Sequence, residues 1–120
     1  MEERLTQIDV LSVAQTFPYE PLFNKVFITL NKIDEDGDLI LSDNVLDEVQ
    51  YVVAGEIKWG NTHIVPGDRI LIDIEKLMVP VKQESNDAYQ TVMQVRIDPV
   101  EVEGVQYAII EDRVIKAKLK

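Results

Sequence analysis

His63 is the one imidazole in the chain, and cysteine is absent. Imidazole catalysis needs a second group within hydrogen-bond reach, usually a Ser or Cys nucleophile or a carboxylate that orients the ring. Ser12, Ser42 and Ser85 stand in no nucleophile-like setting, and no G-x-S-x-G occurs. His63 lies among Thr62, Ile64 and Val65 at the mouth of a strand. It therefore reads as a surface or loop residue rather than a general base. Without cysteine, disulfides, zinc–thiolate sites and iron–sulfur clusters are excluded. Gly37, Gly55, Gly60, Gly67 and Gly104 are dispersed and make no phosphate-cradling loop. No catalytic residue and no cofactor are expected.

One acidic run invites a test as a metal site. Asp34-Glu35-Asp36-Gly37-Asp38 copies the opening of an EF-hand calcium loop. The copy fails where geometry is strict: Leu39 stands where glycine makes the sharp turn, and Val45 where a bidentate Glu closes the cage. The run reads as a solvated acidic loop, and calcium is not expected to bind. Beside it lies Leu39-Ile40-Leu41, a large apolar triplet between Asp38 and Ser42-Asp43. Two readings stay open on the residues alone. The triplet begins a buried strand, or it is an exposed apolar tip that needs a partner's groove to fill.

The elements that must carry these residues fit one domain of 120 residues. Hydrophobic residues make up 46% and charged residues 28%, the balance of a folded soluble chain. The net charge of -10 repels a phosphate backbone, so nucleic acid is not an expected partner. No apolar run approaches the ~20 residues that cross a bilayer, and the start of the chain lacks a signal-peptide pattern. With the lack of cysteine this fits a cytoplasmic location.

In residues 1–20, Leu5, Ile8, Leu11 and Ala14 suit a short helix, while Ile8, Val10 and Val13 allow an extended reading. Pro18 and Pro21 then predict a stiff extended linker. Strands are expected at Phe23–Leu30, Val49–Ala54, Arg69–Ile74, Met78–Val81, Tyr89–Ile97, Val105–Ile110 and Val114–Leu119. Turns are expected at Pro66-Gly67-Asp68, over Lys82–Ala88 and at Glu103-Gly104. Short strands about ten residues apart, without a long helical pattern, predict an all-β barrel or sandwich.

The order of these segments resembles the co-chaperonins of the GroES family. Pro21-Leu22-Phe23-Asn24-Lys25-Val26 is similar to the family's opening P-L-x-x-[KR]-V strand. Gly37, one residue before Leu39-Ile40-Leu41, is similar to the glycine that precedes the apolar tripeptide of its flexible loop. Val52-Val53-Ala54-Gly55 and Ile64-Val65-Pro66-Gly67-Asp68 match its next two strand signals. The hairpin Val102 to Ile115 is similar to its closing pair of strands. The resemblance spans about residues 21–117. It departs in the extension at 1–20, in a short Glu56–Val65 where the family has a roof hairpin, and in a longer 76–96. Short roofs and added segments resemble the phage-encoded members.

The resemblance implies a small GroES-like β-barrel at 21–120, a mobile loop at about 31–48 and an N-terminal extension at 1–20. It implies a heptameric ring in which each subunit lends its first strand, Phe23–Leu30, to the last strand, Val114–Leu119, of a neighbour. Leu39, Ile40 and Leu41 would bind a GroEL-like chaperonin in its nucleotide-bound state, and the ring would cap a chamber where a client folds. The setting would be the cytoplasm, that of the host for a phage-encoded chain, with no membrane contact. The rival expectation is a non-enzymatic β-barrel structural or adaptor protein, for example a phage particle component, with the triplet in its core.

Overall fold

The structure is a computed structural model and describes residues 7–31, 48–85 and 88–120. Leu39, Ile40, Leu41 and the acidic run before them lie outside the described residues. Among the described residues the backbone forms ten strands, one α-helix and two short 3-10 segments. The chain is thus mostly β, as its strand-rich pattern predicts, with one short helix added. No helix among the described residues is long and apolar enough to cross a membrane.

Six strands make one sheet: β1 (Lys25–Thr29), β2 (Val49–Ala54), β5 (Arg69–Ile72), β8 (Asp98–Val102), β9 (Val105–Glu111) and β10 (Ile115–Lys118). Their order is β10-β5-β2-β1-β9-β8, and every neighbouring pair is antiparallel. β10 and β8 end the sheet and do not pair with each other, so the described strands do not close a barrel by hydrogen bonds. Two hairpins stand apart: β3 (Ile57–Trp59) with β4 (Thr62–Ile64), and β6 (Met78–Ser85) with β7 (Ala88–Val95).

β1 corrects one expectation. Its residues are Val, Phe, Ile and Thr after Lys25, and all four are buried. A short apolar run of this kind suits a strand covered on both faces. It pairs with β9 from Lys25↔Glu111 to Thr29↔Tyr107 and with β2 at Phe27↔Ala54 and Ile28↔Val52. Both edges are therefore occupied within the chain, and the strand read at Phe23–Leu30 has no open edge to lend to a neighbour. Leu22 and Phe23 precede it as exposed side chains.

Alternation along the strands splits the apolar residues between two cores. Val26, Ile28, Val52, Ile70, Ile72, Ala108, Ile110 and Ile115 meet on one face, joined by Ile57 and Ile64 of the β3–β4 hairpin. Phe27, Val53 and Tyr107 point to the other face, where Val10 packs on them from α1 (Gln7–Thr16). The helix is the outcome at the N-terminal segment, where an extended reading was also open. Phe17 fastens its end, with its ring 5.0 Å from Phe27 and 5.2 Å from Tyr107, the latter edge-on. Leu11 reaches over Gly67: a Cβ there would lie 2.6 Å from a Leu11 methyl, and the backbone φ is +95°. Both facts call for glycine.

Three expectations differ in extent. Lys82–Ala88 was expected to be a turn, but β6 runs on to Ser85 and pairs with β7 down to Ser85↔Ala88. Arg69–Ile74 ends as a strand at Ile72, and a 3-10 segment takes Ile74–Leu77. The short Glu56–Val65 still forms a hairpin, of three-residue strands.

Candidate functional site

A loop that reaches outward for a partner must be held at its base. The segment 32–47 leaves β1 and returns into β2, so its ends sit on adjacent central strands. Thr29, Asn31 and Gln50 meet at that base. Gln50 is buried, and its side-chain amide serves as a strand would. Its Oε1 accepts the Asn31 backbone N–H at 2.9 Å, and its Nε2 donates to the Asn31 carbonyl at 2.8 Å. The Thr29 hydroxyl donates to the same Oε1 at 2.7 Å and accepts the Tyr51 N–H at 3.0 Å.

Buried polar groups must be paired, and here the pairing crosses the mouth of the loop. The β1–β2 register shifts between Phe27 and Ile28, and the last Cα pair is Ile28↔Val52. Beyond it the Gln50 side chain continues the connection between strands. Leu30 packs against the main core from the same place. The clamp fixes both ends of the segment whatever residues lie between them. Gln50 was not singled out from sequence. A glutamine in the strand VQYVVA, where alternation puts it on the face of Val52, is the signal that it needs a buried partner.

The other sequence candidates fall elsewhere. His63 lies on β4 as an exposed residue, its Nε2 at 3.2 Å from Glu56 Oε2. Hydrogen bonds from His63 and then Lys58 hold the Glu56 carboxyl below its ordinary value. No serine is among the partners that the structure gives His63. Pro66-Gly67-Asp68 is a structural turn: Asp68 Oδ2 accepts the Val65 N–H at 2.9 Å and pairs with Lys118 at 3.3 Å. Gly67 N–H donates to the Val52 carbonyl at 2.8 Å and ties the turn to β2. No group of three His, Asp or Glu able to hold a metal occurs among the described residues.

An open cleft of about 510 Å³ lies at the far end of the sheet, between the β3–β4 hairpin and β10. Trp59, His63, Ile64, Lys116, Lys118 and Leu119 are among its lining residues. It brings cations beside an aromatic ring but no nucleophile. Compared with known proteins, the chain matches no family model, no curated protein and no solved structure.

Proposed function

We propose that the chain is a co-chaperonin subunit whose six-stranded sheet is the wall of a GroES-like barrel. In this reading Leu39, Ile40 and Leu41 are the contacts to a GroEL-like chaperonin in its nucleotide-bound state. Seven subunits form a ring that caps the chamber. The observation that carries the reading is the clamp of Thr29, Asn31 and Gln50 beneath the segment 32–47. It anchors an acidic segment with one apolar triplet to the two strands at the centre of the sheet. A fixed base with a separate tip is what capture by several loops requires. Each loop spends part of its contact energy on ordering and binds weakly, while several on one ring hold tightly and still release. The order of segments from Pro21 to Ala117 supports the same reading.

The test is Ile40→Asp. Burying one such side chain is worth roughly 1.5–3 kcal/mol, and a carboxylate in an apolar groove adds a desolvation cost. Each loop should lose at least about tenfold in affinity, and the loss recurs at every subunit. The variant should keep its melting temperature and its mass in native mass spectrometry. It should no longer be pulled down by chaperonin with nucleotide. Normal capture would remove the triplet from the binding site. A variant that fails to fold would place the triplet in the core and favour a structural or adaptor β protein.

A further inference from the structure

The two ends of the sheet differ in charge. β8 is one free edge, and Glu101 and Glu103 follow each other at period two along it, both exposed. β10 is the other, where Lys116, Lys118 and Lys120 recur at period two. The faces agree as well. Glu101 pairs with Gln106, one residue from Ala108↔Pro99, so it shares the sheet face of the buried Ala108. Lys118 pairs with Ile70, which lies in the same core as Ala108. Acid on one edge and base on the other thus project from the same side of the sheet. Lys118 already holds Asp68 and the His63 carbonyl, which leaves Lys116 and Lys120 as the exposed cations of that edge.

Strand direction completes the match. Six strands paired antiparallel throughout leave the two outer strands antiparallel to each other. A second copy placed edge to edge, head to tail, therefore continues the sheet with an antiparallel junction. Pairing an edge with its own kind would oppose Glu to Glu or Lys to Lys, which is destabilising. In a two-residue hairpin the pair that flanks the turn, here Val102 and Val105, is the hydrogen-bonded one. Glu101 and Pro99 then present their backbone to the open edge. Pro99 has no N–H, so the rung forms at Glu101 and the register cannot slide.

We infer that subunits associate head to tail through the β8 edge of one copy and the β10 edge of the next. Glu101 and Glu103 face Lys116 and Lys120 across the junction. This rests on the reading of the chain as a ring subunit and replaces the strand loan that the occupied β1 excludes. A heterologous contact of this kind closes into a ring when its rotation closes.

Charge reversal tests it. Glu101→Lys with Glu103→Lys, and separately Lys116→Glu with Lys120→Glu, should each weaken association at least about tenfold and leave monomers in native mass spectrometry at micromolar concentration. The four changes together should restore the assembly. Melting temperatures within a few degrees of the wild type should show that all variants fold. Single-edge variants that assemble normally, a folded four-change variant that stays monomeric, or a monomeric wild type would each overturn the junction. Chaperonin pull-down separates the two claims. A charge-reversed ring that still assembles and is captured overturns the junction alone. A wild-type ring that ignores chaperonin, with charge-reversed monomers, supports the junction and overturns the chaperonin reading.

Discussion

Gln50 carries more of the architecture than its polarity suggests. Replacing it with Leu keeps the volume but strands the Asn31 N–H and carbonyl and the Thr29 hydroxyl. Unpaired buried groups cost about 1–3 kcal/mol each, less where water reaches them. Gln50→Leu should lower stability by about 2–4 kcal/mol in urea unfolding, with the m-value unchanged. If the clamp also sets the base of the loop, chaperonin capture should fall in the same variant. Tyr107 has a different sensitivity. Burial, and then the Glu103 charge, push its phenol above the ordinary value. The folded state therefore favours the neutral ring. Its contribution is complete below about pH 10, where the unfolded phenol titrates, and is lost as pH rises through the folded pKa. Melting temperature should hold to about pH 9 and fall above it. Tyr107→Phe should flatten that alkaline fall.

At the scale of elements, the helix α1 and the β4–β5 turn support each other through Leu11 and Gly67. Gly67→Ala forces a side chain into a positive-φ backbone, while the Leu11 methyl can move aside. A loss of about 1–3 kcal/mol is expected by thermal unfolding. How legible these elements were follows from how they are covered. Val49–Ala54 was read with its final bounds, because a strand between two neighbours repeats β-branched residues and ends at a glycine. Glu103-Gly104 was read as a turn, and the structure puts both residues at positive φ. Ile57–Trp59, Thr62–Ile64 and Asp98–Val102 were not read as strands. The first two are too short for a period to register, and Pro99 argued against the third. Lys82–Ser85 looked like a turn because a hairpin exposed on both sides needs no apolar alternation. Of the clamp, nothing was legible: Thr29 and Gln50 are far apart in sequence, and only the pairing of β1 with β2 joins them.

For the whole molecule, protection should be graded from the centre outward. β1, β2 and β9 lie inside the sheet with a core on either face, so their amides should exchange slowest with deuterium. The β6–β7 hairpin, with two strands and exposed Tyr89 and Met93, should exchange far sooner. Equal rates in both regions would refute this gradient. The position of the segment 32–47 also bears on mechanics. It leaves β1 and enters β2 at the same end of the sheet. A tug on it therefore loads both strands lengthwise against β9 and β5, and every rung of those ladders shares the force. A tug on the tip of β6–β7 would instead peel its rungs apart one after another. The chain is thus wired to bear tension at one loop and to yield at another.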